Sequence, residues 1–333
     1  MKKVVLGIDI GGTNTVFAWV DKSGNILSLQ EISTQGTEPA QKLVDRLGEK
    51  VDQFFKNNSD CLLIGIGVGA PNANHFSGII QDPPNFDWGE VDIVSILSQK
   101  YFCDVKLTND ANAAALGEKF YGIAKEMDNF IMITLGTGLG SGIYSNGQIL
   151  YGENSMAGEL GHLSIDPNGR LCTCGLKGCL EMYVSAKGIK ETIKEMLDKN
   201  PDDGFLNSLN MDNLDGKKID DAVDRGNVSA LNIYKEVSNK LGFGLAQAAI
   251  LFSPNAFIFY GGYSQAGDRL LFPTRVALES YLMDNLKGKI QLLQSGLPVG
   301  HAGILGAASL IWHSKPILPV LRSLGNTQGI ADI

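Results

Sequence analysis

Gly7-Ile8-Asp9-Ile10-Gly11-Gly12-Thr13-Asn14 closes an apolar run that begins at Val4, and residues 15–20 return to the same apolar character. A strand, a tight glycine turn and a returning strand account for that pattern. A second turn at Lys22-Ser23-Gly24-Asn25 leads into a third apolar stretch at 26–29. The plan recurs further on: an apolar run at 130–135, the loop Gly136-Thr137-Gly138-Leu139-Gly140-Ser141-Gly142, a return at Ile143-Tyr144, and a turn at Asn146-Gly147 into 148–150. Two copies of strand, glycine loop, strand, turn, strand predict two related halves facing each other.

Between and after these copies the period changes. Residues 38–55 carry helical spacing, 61–67 form an apolar strand, and the Ala-rich run 111–121 reads as a helix. Stretches 186–199 and 228–252 read as amphipathic helices, and 201–224 as an acidic loop region with a short helix. Residues 256–260 form a strand that ends in Gly261-Gly262, and 303–312 a helix of small residues. Alternating strands and helices give an α/β class. The expected division is a small domain of residues 1–120 plus 301–333, to which the last helix returns, and a large domain of 121–300.

The bulk numbers fit an ordinary globular protein: 333 residues, 44% hydrophobic and 19% charged. A net charge of −8 argues against a nucleic-acid partner, which relies on clustered Lys and Arg. Asp9 cuts short the apolar run that follows the charged start, so no secretory leader is expected, and no stretch approaches the ~18 apolar residues of a membrane helix. A cytoplasmic protein with reduced cysteines is the expectation.

Three of the five cysteines fall together in Cys172-Thr173-Cys174-Gly175-Leu176-Lys177-Gly178-Cys179, ten residues after His162. Thiolates and an imidazole are the ligand set of a closed, structural zinc site. Cys172 and Cys174 are too close in sequence for a comfortable mutual disulfide. Glu159 and Glu181 bracket this knot and are not needed as ligands, which leaves them for whatever the metal holds in place.

The loop around Asp9, Gly11, Gly12, Thr13 and Asn14 offers backbone N–H groups and a hydroxyl to phosphate oxygens, with Asp9 placed to hold Mg²⁺ through water. Taken alone, it fits a simple tight hairpin equally well. The second loop, with Gly136, Thr137 and Gly138, and the third patch at Gly261 and Gly262 turn the reading toward a clamp for the triphosphate and adenosine of ATP. The segment Thr108-Asn109-Asp110-Ala111-Asn112 puts an amide and a carboxylate at a strand end that opens a helix. One polar residue suffices for a helix cap, and strand ends are where open α/β sheets place ligands.

These motifs together, with Gly303-Ile304-Leu305-Gly306-Ala307-Ala308 near the end, resemble the ROK family of sugar kinases, within the actin-like ATPase and hexokinase superfamily. The resemblance runs nearly end to end. It implies the two-domain actin-like ATPase (ribonuclease H-like) fold, with nucleotide and sugar in a cleft. It also implies ATP-dependent phosphorylation of a hexose at its 6-hydroxyl, glucose first, with N-acetylmannosamine, N-acetylglucosamine or another hexose as the alternative. Asp110 would be the base, and Asn109, Glu159, His162 and Glu181 would hold the other hydroxyls. His162, Cys172, Cys174 and Cys179 would bind structural zinc, and a homodimer would be expected. Asn85, in Asn85-Phe86-Asp87-Trp88, would reach the substrate. After Gly67-Val68-Gly69-Ala70-Pro71 the family usually has glycine, where this chain has Asn72, and 73–77 depart from the pattern as well. Sugar-responsive repressors share the domain but carry a DNA-binding helix pair ahead of the first strand, which here starts at residue 4. A sugar-binding protein without activity is disfavoured by an intact Asp110 and both glycine loops.

Overall fold

A computed structural model describes residues 1–84 and 86–314. Asn85 and the segment 315–333 therefore lie outside the described residues. The first sheet has strand order β3-β2-β1-β4-β7. Its meander is β1 (Lys2–Ile10), β2 (Asn14–Val20) and β3 (Ile26–Ser33), joined on the far side of β1 by β4 (Cys61–Ala70). A short ribbon of β5 (Ile80–Gln81) and β6 (Glu90–Val91) precedes the parallel edge strand β7 (Asp104–Asn109). The second sheet, β10-β9-β8-β11-β12, repeats the plan. Here β8 (Phe130–Leu135), β9 (Leu139–Ser145) and β10 (Gln148–Ile149) form the meander, and β11 (Ala256–Tyr260) and β12 (Gln291–Gln294) run parallel to β8. The duplication expected from the two glycine turns is thus present strand for strand.

One turn is shorter than expected. Only residues 136–138 form a loop, and Gly140 and Gly142 lie inside β9. Their lack of side chains serves packing: a Cβ on Gly142 would meet the Ala111 carbonyl oxygen at 2.7 Å, and one on Gly140 the Ala111 Cβ at 3.2 Å. The helix that starts at Asp110 lies directly on that strand.

The helices are α1 (Ala40–Asn57), α2 (Ile93–Tyr101), α3 (Asp110–Tyr121), α4 (Glu181–Val184), α5 (Ala186–Lys199), α6 (Gly204–Asn207), α7 (Gly216–Asp224), α8 (Val228–Phe252), α9 (Asp268–Tyr281) and α10 (Ala302–Trp312). Helix α1 buries Leu43, Val44, Leu47, Val51 and Phe54, a spacing of three and four that lines one face, and Phe54 stacks on Trp19 of β2. Helices α2 and α9 and strand β12 add to what the sequence pattern predicts. A cap at Asp92, whose side chain accepts from Ser95 N, starts α2, whereas Pro273 interrupts the helical signal inside α9.

The small-residue helix α10 packs on β1 and β4 and crosses α3. A Cβ on Gly67 would fall 1.8 Å from the Ala307 carbonyl oxygen, and one on Gly306 would fall 1.6 Å from that of Ala113. Backbones meet there, so any side chain forces the helix away. Near the other end of α3, the fully buried Glu118 accepts from Ile123 N at 2.9 Å and from the Ser295 hydroxyl. Glu118 thus joins the two segments, 122–129 and 295–301, by which the chain passes from one sheet to the other.

Candidate active site

The carboxyl ends of parallel strands β1, β4 and β7 carry Asp9, Pro71 and Asn109-Asp110. Those of β8 and β11 carry loop 136–138 and Gly261-Gly262. Open α/β sheets place ligands at such edges. On the first sheet the carboxylates are brought together by Gly69: a Cβ there would lie 3.7 Å from Asp9 Oδ1 and 3.8 Å from Asp110 Cα. Asp9 also lies against the start of α10, where a Cβ on Gly303 would meet its Oδ2 at 2.4 Å.

Asn109 is the N-cap of α3, its Oδ1 accepting from Ala111 N at 2.9 Å and Asn112 N at 3.3 Å. Asp110 Oδ1 accepts from Ala111 N at 2.8 Å. The sequence suggests a carboxylate kept ionised by the helix terminus. The structure adds an opposing effect: Asp110 is open on one side, yet the protein packed around its carboxyl pushes it up, and the backbone N–H groups and the Asn109 side chain only pull against that. Burial likewise drives Asp9 up to about 7, with added repulsion from Asp110.

That shift has a testable consequence in metal-free protein. The folded Asp9 keeps its proton to about pH 7, whereas the unfolded group releases it near 3.8. Its stabilising contribution is complete below about pH 4 and is lost as pH rises through 7. Asp9→Asn is expected to melt above the wild type, with a gap that widens between about pH 4 and 7 and then levels. A pH-independent gap in the melting curves would contradict this.

The first loop is closed by Gly11 N–H to Asn14 O at 3.0 Å, with the Thr34 hydroxyl donating to Gly11 O at 2.7 Å. Gly12 and Thr13 are exposed on its crest. Asn14 is at the start of β2 and turns its amide to Glu31 on β3. On the second sheet Thr137 is exposed, Gly136 N donates to Gly138 O at 3.0 Å, and Gly261 stands at φ 102°. Beside Gly261, a Cβ would strike the Leu135 carbonyl oxygen at 2.3 Å, so the two loops need this glycine to lie side by side.

Glu159, His162, Asp110 and Glu181 converge. Protein around Glu159 pushes its carboxyl up, His162 pulls it down, and Asp110 and Glu181 add repulsion. Glu181 Oε2 accepts from Leu139 N at 2.9 Å, so it also fixes the end of loop 136–138. Three residues escaped the sequence reading. Ser141 receives Leu160 N at 3.2 Å and donates to Gly158 O, holding the turn that carries Glu159. Tyr260 receives Ala302 N at 3.4 Å, linking β11 to the start of α10. Gly69 spaces the carboxylates. A serine between two glycines and a tyrosine at a strand end carry no signal of their own; Gly69 sits in the quoted Gly-x-Gly-Ala-Pro run, but its spacing role needs the fold.

The ligand atoms of His162, Cys172, Cys174 and Cys179 all lie within 4.8 Å of one another. Cys174 Sγ is 3.6 Å from Cys179 Sγ, and Cys172 Sγ 3.7 Å from His162 Nδ1. Tetrahedral zinc with bonds of about 2.3 Å sets sulfurs about 3.8 Å apart, so the donor set and spacing fit that ion. A disulfide would need about 2.05 Å.

Two facing sheets of like topology, with carboxylates and glycine loops along their opposed strand ends, make this the actin-like ATPase fold with two sheet domains. The chain belongs to the ROK family, whose profile matches residues 5–314. It is 33% identical over 318 residues to the glucokinase of Thermotoga maritima, spanning 93% of this chain and 98% of that protein. The xylose repressor of Bacillus subtilis is 29% identical over 309 residues, spanning 92% of this chain and 76% of the repressor. Among solved structures, a ROK family glucokinase from Streptomyces griseus in complex with glucose and AMPPNP matches with a TM-score of 0.77 and 34% identity, covering 92% of this chain and 98% of that one. Among the described residues no helix is long and apolar enough to cross a membrane.

Proposed function

We propose that this protein is an ATP-dependent hexose kinase that phosphorylates the 6-hydroxyl of glucose. The observation that carries the reading is Asp110: a carboxylate with a raised pKa, exposed at a strand end beside Asp9 and near Glu159, which in turn neighbours the Glu181 that anchors loop 136–138. The glucokinase relatives and the neighbour in complex with glucose and AMPPNP support glucose and ATP.

In this reading Asn109, Glu159, His162 and Glu181 orient the sugar, whose hydroxyls both donate and accept. Asp110 takes the proton of the attacking hydroxyl as its oxygen bonds to the γ-phosphorus and the bond to ADP breaks. A carboxylate whose pKa is raised above its ordinary value is a stronger base for that transfer. Gly12, Thr13, Thr137 and Gly138 cradle the phosphates, while Gly261 and Gly262 lie beside the nucleoside. Asp9 fits Mg²⁺: it is a carboxylate enclosed by protein, and no cation among the described residues offsets its burial. When bound, the ion supplies charge neutralisation of the transferring phosphoryl group. The Cys₃His set holds structural zinc, and the protein works as a homodimer.

A regulatory reading is favoured by one observation, the similarity to xylose repressors. A coupled assay with Mg²⁺ and ATP over glucose, mannose, fructose, allose, N-acetylglucosamine and N-acetylmannosamine separates the two. The largest kcat/KM is expected for glucose. Preference for an N-acetylated sugar would keep the mechanism and change the substrate. Sugar binding without turnover on any of them would favour the regulator.

A further inference from the structure

The segment 72–77 departs from the family pattern, yet it is built with care. Asn72 takes a left-handed φ of 51°, which Asn tolerates, and Asn74 Oδ1 accepts from Phe76 N at 3.0 Å and Ser77 N at 3.1 Å. The turn so formed presents His75 to both sheet domains. On one side, His75 Nδ1 lies 2.8 Å from the carbonyl oxygen of Leu107. A carbonyl only accepts, so the proton is on Nδ1, and the bond satisfies an oxygen of the sheet's edge strand β7. On the other side, the imidazole stacks on Tyr151 with centroids 4.1 Å apart and planes 2° off parallel, and Phe76 packs edge-on against both rings. The backbone N–H of His75 donates to Ser155 Oγ at 3.0 Å, and that hydroxyl lies 3.3 Å from Asn74 Oδ1. Ser155 is buried and held at φ 58°, a left-handed conformation that a non-glycine residue keeps only where its surroundings enforce it.

Each side of this contact leads directly to a proposed substrate ligand. Two residues beyond Leu107 come Asn109 and then Asp110. The 151–157 loop is closed by Ala157 N to Tyr151 O at 3.0 Å, and two residues on comes Glu159. The covalent passages between the sheets lie at the opposite end of α3, around Glu118. A hinge at one end of a 12-residue helix and a contact at the other, about 18 Å away, make the second the point where lobe position is fixed.

We propose that His75 is a positioning residue: clamped between Leu107 and Tyr151, it holds Asp110 and Glu159 at the separation that receives the sugar. The proposal rests on the kinase reading for its substrate, though not for the clamp itself. Two measurements on His75→Ala keep the failures apart. In ligand-free protein, amide hydrogen exchange is expected to rise about tenfold or more in both 107–112 and 151–160, with the segment around Glu118 unchanged. In the coupled assay, the glucose KM is expected to rise tenfold to a hundredfold, the scale of an ångström's misplacement, with the ATP KM within threefold. His75→Phe, which keeps the stack, and His75→Gln, which keeps a donor, should each recover part of both effects. Exchange that changes only within 72–77, or equal rises in the two KM values, would overturn the clamp. A wild type that turns over no sugar would overturn the kinase reading, while the exchange pattern still decides the clamp.

Discussion

Asp110→Asn is expected to lower kcat by about a thousandfold, leaving the glucose KM within a few-fold of wild type and the melting temperature no lower. The local structure explains why the loss should be confined to turnover. Asparagine keeps an oxygen for Ala111 N, so the start of α3 stays capped, with Asn109 bonded to Ala111 and Asn112 as before. It also removes a carboxyl whose charge the surrounding protein disfavours and which repels Asp9. Phosphoryl transfer is achieved mainly by positioning and charge stabilisation, which the glycine loops and Asp9 would still provide. What the amide cannot do is accept the proton of the attacking hydroxyl. Steady-state kinetics at saturating ATP, read beside a melting curve, test this. A variant with near-normal turnover would place the base elsewhere and leave the site without its central residue.

Legibility in the sequence followed the range of the interactions. The strands 130–135 and 256–260 and the helices 186–199 and 228–252 coincide with their apolar patterns, because each is bounded by glycine, serine or asparagine, the strands being buried on both faces and the helices along an apolar stripe. Helix α9 was hidden by Pro273, and β12 is a four-residue edge strand with too few positions to show a period. Carboxylates and glycines at strand ends could be picked out because the chemistry and the turn lie within a few residues of each other. Contacts across long separations could not: Glu118 and Ser295 are 177 residues apart, and His75 and Ser155 are 80 apart. Nor does pattern distinguish the glycines of a loop from those of a tight strand–helix contact, which is why 139–142 looked like a turn. The roles of single side chains in sugar binding came from resemblance, since nothing local separates Glu181 as a sugar ligand from Glu181 as the anchor of Leu139.

Cys174→Ser should release zinc and reduce kcat/KM for glucose by about a hundredfold without unfolding the protein, because the knot divides into a tip that needs metal and a base that does not. Cys174 is exposed at the tip, in a turn made by Gly175 N to Cys172 O at 3.0 Å and Cys172 N to Leu176 O at 2.8 Å. The base is pinned by Arg170, whose guanidinium donates to Met182 O at 2.7 Å, Gly188 O at 2.9 Å, Thr192 Oγ1 at 2.9 Å and Glu195 Oε1 at 2.8 Å. Losing one thiolate therefore leaves α4 and α5 in place. The loss reaches the cleft through His162, whose backbone N–H donates to Glu159 O at 3.0 Å, and through Cys179, two residues before Glu181. With His162 unheld, Glu159 is free to rotate away from Asp110, and their combined grip on the sugar is lost while the ATP loops stay formed. Zinc content by mass spectrometry, with the KM for glucose and for ATP measured on the same sample, gives the test. One zinc per chain in the wild type, none in the variant, and a glucose KM that rises alone are the expected results. Full zinc content with full activity in the variant would remove the metal from any part in positioning Glu159.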